Sequence, residues 1–246
     1  MQLQQRVVWV TGSAKRLGRA MALDLAGRGA DMVIHYRSSR EEAEAVARQI
    51  RAIGRRVLLV QADLSEVREI EQCVDRIRHE MGRLDVLVNS ASNFIRTPLA
   101  SIREADWDAA LHVNLKGPCF CALEASKLMR EGEGGKIINF ADWAGFRPYR
   151  NYLPYVVAKG GVITMTRALA LELAPEIQVN AVAPGPVLLP PGTSEEERNH
   201  IIRHVPLGRV GSPEDIVQTV AFLIEGTDYV TGQVLCVDGG RFIANP

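Results

Sequence analysis

Short apolar runs rich in β-branched residues recur along the chain at 6–10 (RVVWV), 32–36 (MVIHY), 56–60 (RVLLV), 84–88 (LDVLV), 136–140 (KIINF), 177–182 (IQVNAV) and 233–237 (QVLCV). Each is too short for a helix, and such near-continuous hydrophobicity suits strands covered on both faces, as in a parallel sheet. Amphipathic stretches separate them. In 41–53, Ala43, Val46, Ala47, Ile50 and Ile53 recur at helical spacing before Gly54, and Val67, Ile70, Val74, Ile77 and Met81 repeat the pattern before Gly82. Longer helices are predicted over 106–130 and 154–173. The alternation predicts an α/β fold: a Rossmann-type, doubly wound domain whose mainly parallel seven-stranded sheet is flanked by helices with right-handed crossovers. No linker divides residues 1–246, so one domain is expected, with a substrate flap around 186–212 where the Pro/Gly-rich stretch 184–192 breaks the rhythm.

Composition narrows the function. At 246 residues the chain is long enough to bury a substantial core without staples, and its formal net charge is zero. Nothing favours nucleic acid or an acidic membrane surface as partner. No stretch approaches the ~18 apolar residues of a membrane span, and MQLQQRVVWVTG lacks signal-peptide organisation, so a cytoplasmic protein is expected. The four cysteines (Cys73, Cys119, Cys121, Cys236) show no metal spacing and read as buried free thiols in a reducing compartment; no metal site is expected.

The first strand runs into TGSAKRLGRAMAL, a glycine turn opening a helix, where backbone N–H groups and the helix dipole suit a pyrophosphate. The fingerprint GxGxxG is absent: glycines stand at 12 and 18, with Lys15 and Arg16 between them. The second strand ends in HYRSS, giving His35, Tyr36, Arg37 and Ser38 where an NAD-selective site would carry an acid; a cation and a hydroxyl suit a 2′-phosphate instead. Asp31 precedes this tip and reads as a turn residue. Asp63, ending the third strand, either recognises an adenine amino group or N-caps the next helix. NADPH is therefore the expected cofactor, bound across strand tips that include LVNSAS.

TG with a glycine six residues on, ADLS, VNSAS, Asn114 in HVNLKGP, YVVAK, VNAVAPGPV and VTGQVLCVDGG occur in the order seen in short-chain dehydrogenases/reductases, which this chain resembles along essentially its whole length. Two positions depart from the general pattern. Asp142 stands where the family has a catalytic serine, and Arg16 where it has a glycine. With TGSAKRLG, HYRSS, SNF, the Asp–Tyr–Lys trio and GPVLLP, these departures resemble the pteridine reductase subgroup. The resemblance implies NADPH-dependent reduction of a pterin stacked between nicotinamide and Phe94, with Arg16 facing both cofactor phosphates and substrate. It implies cofactor contacts from Gly12, Lys15, Arg16, Leu17, Gly18, His35, Tyr36, Arg37, Ser38, Asp63, Leu64, Asn89, Ala91, Lys159, Pro184, Gly185 and Val187, and substrate contacts from Arg16, Ser92, Phe94, Asp142, Tyr155, Leu188 and Leu189. It also implies an Asn114-held water beside Lys159, and a homotetramer built on the long helices.

The residues support the chemistry on their own account. Tyr155 and Lys159 are one helical turn apart, and an ammonium there is expected to lower a phenol pKa that is otherwise about 10. Tyr155 then supplies the proton that accompanies hydride transfer to a C=O or C=N bond. A carboxylate at 142 would oppose charge developing on a carbonyl oxygen. Either Asp142 is protonated, or the substrate offers N–H donors, as a pterin does. The alternatives are a general carbonyl reductase, for example of 3-oxoacyl thioesters, and a catalytically weak NADPH-binding sensor or structural subunit. Trp107 and Trp143 fit a pocket or the core equally, His112 reads as structural, and Glu195–Arg198 as a solvated helix face within the flap.

Overall fold

The apolar runs become strands, those inside the sheet with neither face meeting water and the edge strands partly exposed. In a computed structural model, which describes residues 1–190 and 192–244, β1 (Val7–Val10), β2 (Asp31–Tyr36), β4 (Val86–Asn89) and β5 (Gly135–Phe140) are buried throughout. With β3 (Val57–Gln61), β6 (Ile177–Pro184) and β7 (Val234–Val237) they form one sheet in the order β3-β2-β1-β4-β5-β6-β7, every neighbouring pair parallel. Alternating side chains feed two apolar layers. Val8 and Val10 pack with α1 (Arg16–Gly27), α2 (Arg40–Ala52) and α8 (Pro213–Ala221); Val7 and Trp9 pack with α3 (Val67–Met81), α5 (Gly117–Arg130) and α6 (Leu153–Leu173). The winding reverses between β1 and β4, which opens a crevice at the carboxyl ends of the strands.

Four details differ from the sequence expectation. The helix predicted over 106–130 is two helices, α4 (Glu104–Leu111) and α5, joined by a π-helical turn at His112–Lys116. Pro118 lacks the N–H that an α-helix would donate to the Asn114 carbonyl, and Gly117 N–H reaches back to His112 instead. Gly161 of α6 lets this turn close in, since a Cβ there would lie 2.7 Å from Leu115. α8 was not foreseen; Ser212 and Asp215 cap it reciprocally, with Ser212 N–H donating to the Asp215 carboxylate at 2.7 Å. Asp31 is no turn residue: it is buried at the start of β2, where its carboxylate accepts from the Arg56 backbone (3.0 Å) and guanidinium (2.8 Å). Cys73 and Cys121 are buried free thiols as expected, but Cys236 is exposed on β7.

The segment expected to form a flap holds α7 (Glu195–Arg203), whose acidic first turn faces solvent; Pro191 within that segment lies outside the described residues, as do residues 245–246. Among the described residues no helix is long and apolar enough to cross a membrane.

Two glycines of α1 separate packing from propensity. A Cβ at Gly18 would lie 2.2 Å from the Gly12 carbonyl oxygen, whereas one at Gly27 meets nothing within 4 Å. Urea denaturation is expected to show Gly18→Ala losing roughly 1–3 kcal/mol and Gly27→Ala gaining about 0.4–1 kcal/mol.

Candidate active site

The tips of β1 to β4 are locked to one another before any ligand is considered. Gly12 adopts φ +64°, and a Cβ there would lie 2.9 Å from Ala91 Cα. Thr11 Oγ1 accepts from Ser90 N (2.9 Å) and Ala91 N (3.0 Å), while Ser13 Oγ accepts from His35 N (3.0 Å) and donates to Val10 O (2.7 Å). His35 completes the lock. Its Nδ1 accepts from Gly12 N–H at 2.9 Å, so its proton sits on Nε2, 3.1 Å from the Ala62 carbonyl. Burial pushes its pKa down to about 4, so the ring is a neutral brace. It lines the cleft without offering charge to a phosphate, which leaves Arg37 as the cation of the β2 tip.

These tips wall a cleft of about 780 Å³. Of the residues expected to hold the cofactor, Gly12, Lys15, Arg16, Leu17, Gly18, His35, Arg37, Asp63, Leu64, Ala91, Lys159, Pro184, Gly185 and Val187 line it. Three do not. Tyr36 turns into the core, Ser38 is exposed outside the lining, and buried Asn89 ties β4 to Asn139 of β5 (3.0 Å) and to Pro118 O (3.0 Å). Asp63 does not cap α3. Its carboxylate accepts from Ser65 N (3.0 Å) and Oγ (2.8 Å) and lies 3.6 Å from Arg37.

The residues present fit a phosphorylated dinucleotide. The first turn of α1 carries no acid, and no side chain caps its N–H groups. The β2 tip itself carries no acid; its exposed Arg37 faces the Asp63 carboxylate of the neighbouring β3 tip at 3.6 Å. Arg16 has a positive φ of 51°, a conformation that glycine adopts without strain. Its guanidinium reaches across the cleft to donate to Leu188 O at 2.6 Å, tying the glycine turn to the start of the predicted flap.

At the chemical end, β5 delivers Asp142 and α6 delivers Tyr155 and Lys159. Asp142 Oδ1 accepts from Ala144 N (2.8 Å), and Oδ2 accepts from the Tyr155 hydroxyl at 2.7 Å. Lys159, buried, donates to Phe140 O at 2.7 Å. This arrangement corrects the expected electrostatics. The ammonium is engaged by a backbone carbonyl, and burial lowers the Lys159 pKa to about 8. The Tyr155 phenol is held well above its ordinary value by burial and by the Asp142 carboxylate beside it, rather than being acidified by Lys159. Burial also raises the Asp142 pKa, against opposing effects of Ala144 N–H, the Tyr155 hydroxyl and the Lys159 charge. Asp142 and Tyr155 are thus an acid–phenol pair joined by one hydrogen bond, with the phenol as donor.

The remaining predicted residues divide. Ser92, Phe94, Leu188 and Leu189 line the cleft. Asn114 is fully buried and does not: its Oδ1 accepts from Ser92 Oγ (2.6 Å) and Asn93 N (3.2 Å), and its Nδ2 donates to Asn93 and Ala110, so its side chain is committed to the wall. One face of Phe94 stacks on Tyr152 (centroids 4.3 Å apart, 10° between planes), and its ring meets Tyr155 edge-on at 4.8 Å. The sequence reading missed Tyr149, His200, Ile201 and Arg241, and left Trp143 undecided; all five line the cleft. His200 and Ile201 fall within the expected flap, Trp143 and Tyr149 lie on the segment between β5 and α6, and Arg241 reaches the site only through the packing of the C-terminal turn. Trp107 stays outside the lining, and among the described residues no cluster of His, Cys, Asp and Glu is fit to hold a metal.

Comparison with known proteins places this geometry. The family model described as Enoyl-(Acyl carrier protein) reductase matches residues 12–241. The 3-oxoacyl-(acyl-carrier-protein) reductase FabG of Staphylococcus aureus is 36% identical over 95% of this chain and 97% of its own length. The (2S)-((R)-hydroxy(phenyl)methyl)succinyl-CoA dehydrogenase subunit BbsD of Thauera aromatica is 38% identical over 98% of both chains. Among solved structures, a variant of a Serratia marcescens short-chain dehydrogenase/reductase superposes with a TM-score of 0.92 at 31% identity, covering 98% of this chain and 100% of its own. None of these relatives is named as a pteridine reductase, the subgroup expected from the sequence. They do carry the family: with its all-parallel seven-stranded sheet and its strand-tip cleft, the chain is an oxidoreductase of the short-chain dehydrogenase/reductase family.

Proposed function

We propose that this protein is an NADPH-dependent reductase whose preferred substrate is a nitrogen heterocycle of the pterin class. The single observation that carries this reading is the 2.7 Å hydrogen bond from Tyr155 to Asp142, a carboxyl where the general family pattern has a neutral hydroxyl. Gly12, Arg16, Gly18, Arg37 and Lys159 are the residues suited to hold NADPH, which when bound supplies hydride to the carbon of a polar double bond. The protein supplies the proton. A C=N nitrogen gains N–H as its carbon gains hydride, and the Asp142–Tyr155 pair holds a proton ready for it. An ionised Asp142 next to a carbonyl oxygen opposes the negative charge that forms there, whereas ring N–H and amino groups donate to that same carboxylate. Lys159, buried and positive, offsets the charge left on the pair after transfer.

A second reading is favoured by the comparisons, which support it better than the pterin: reduction of a 3-oxoacyl thioester, the substrate named for the Staphylococcus aureus relative. It requires Asp142 to be protonated, so that the carboxylic acid donates to the carbonyl oxygen, and the raised Asp142 pKa favours that form.

NADPH oxidation with dihydrobiopterin, dihydrofolate and an acetoacetyl thioester separates the readings, and inactivity on all three despite NADPH binding supports the sensor or structural-subunit alternative. Asp142→Ala is expected to lower pterin kcat by about 10²–10⁴-fold with NADPH affinity unchanged. Asp142→Ser is expected to shift preference toward the thioester. A wild type that reduces the thioester well and pterins not at all overturns the pterin reading.

The charge on Lys159 sets a pH limit. Its lowered pKa means that the ammonium is present below about 8 and lost above it. A plot of log kcat/KM against pH is therefore expected to bend downward near 8, and Lys159→Arg to move the bend to higher pH.

A further inference from the structure

The cleft wall carries a positive charge that the proton pair does not use. Arg241 follows Gly239 and Gly240, which adopt φ of +63° and +86°. The turn is closed by Asp238, whose carboxylate accepts from Gly240 N (2.9 Å) and Phe242 N (2.6 Å). The acid closest to Arg241 in sequence is thus committed to backbone. The turn sends the Arg241 side chain into the cleft lining, where its guanidinium carbon lies 5.5 Å from the centroid of the Trp143 ring, and Trp143 adjoins Asp142 in sequence. One donor, Nη1, reaches His204 O at 3.1 Å.

A guanidinium has five N–H donors in a planar fork. Among the described residues no carboxylate forms an ion pair with Arg241. Partial burial, and after it the like charge of Arg147, itself bound to Ala244 O, hold the Arg241 pKa below its ordinary value. Among the described residues, these two half-buried guanidiniums have no carboxylate paired with them, an arrangement that is costly in isolation. A planar cation against an indole, in the cleft that Asp142 and Tyr155 also line, can bind an oxyanion with two parallel N–H donors.

We infer that Arg241, held on Trp143, is the receptor for an oxyanion group carried by the substrate, so that the preferred substrate is an anion and not a neutral ring or ketone. The inference deepens the reductase reading and rests on it for its turnover arm alone. A carboxylate on a pterin tail and a phosphate on a thioester carrier present the same chemistry to the fork, and the test distinguishes them.

The binding arm uses the full-length protein carrying Trp107→Phe. Trp9 is fully buried and Trp107 lies outside the cleft, so the cofactor-free protein reports through Trp143. Fluorescence is titrated with p-aminobenzoyl-glutamate and with pantetheine 4′-phosphate. Saturable quenching by the first assigns a carboxylate source, and by the second a phosphate source. Either is expected to weaken by about tenfold or more in Arg241→Gln and by less in Arg241→Lys, which keeps the charge but not the fork. The turnover arm compares dihydrofolate with dihydrobiopterin, and acetoacetyl-CoA with its N-acetylcysteamine thioester. Arg241→Gln is expected to raise KM for the charged member of a pair about tenfold and to leave the uncharged member within about twofold. Wild-type protein that saturates with neither probe overturns the inference, whether or not the variant folds, as does binding unaltered in Arg241→Gln. Saturable, Arg241-dependent binding alongside silent reductase assays supports the anion receptor and contradicts the reductase reading.

Discussion

A parallel sheet buried on both faces must send every strand out at the same edge, and the whole site of this protein hangs from that constraint. Backbone amides and carbonyls at the ends of β1 to β4 have no further strand to pair with, so the chain satisfies them locally. Thr11, Ser13 and His35 do this with side chains that bridge between tips. The turn that follows β1 is therefore rigid before a ligand arrives, and the open first turn of α1 is aimed by packing. The same edge brings the β5 tip, with Asp142, against α6, with Tyr155, across a single hydrogen bond of 2.7 Å.

Burial gives that hydrogen bond its character. In water a carboxylate and a phenol titrate about six units apart and ignore one another. Here desolvation raises both, the carboxylate raises the phenol further, and the phenol restrains the carboxylate. Lys159, buried and bound to Phe140 O, supplies the opposite charge that keeps the pair from being a lone buried anion. The trio divides its work differently from the simplest Tyr–Lys scheme: the proton belongs to the acid–phenol pair, and the lysine steadies the field around it.

Much of this was legible in the sequence. Strand runs without polar interruption foretold a two-sided parallel sheet, and Tyr155, Lys159 and Asp142 were found from spacing and family pattern. The long helix 106–130 was misread because apolar periodicity continues through Gly117–Pro118, where only the missing proline N–H widens the turn. The tyrosine electrostatics were misread because one-turn spacing shows that Lys159 is near but not which acceptor it takes. The Asn114 side chain is bound to Ser92 and Asn93, a choice set by the packing beyond the β4 tip that sequence does not show. Arg241 had no local signal at all, since only the glycine turn and α7 together carry it to the cleft.

The claim on which the chemistry stands is that Asp142 and Tyr155 share one proton in a desolvated site. Carbon-13 NMR of the Asp142 carboxyl, titrated in the wild type and in Tyr155→Phe, reads this directly. A midpoint above the ordinary aspartate value, rising further when the Tyr155 hydroxyl is removed, is the predicted result, because that hydroxyl stabilises the ionised carboxylate. An ordinary midpoint left unchanged by Tyr155→Phe would contradict it.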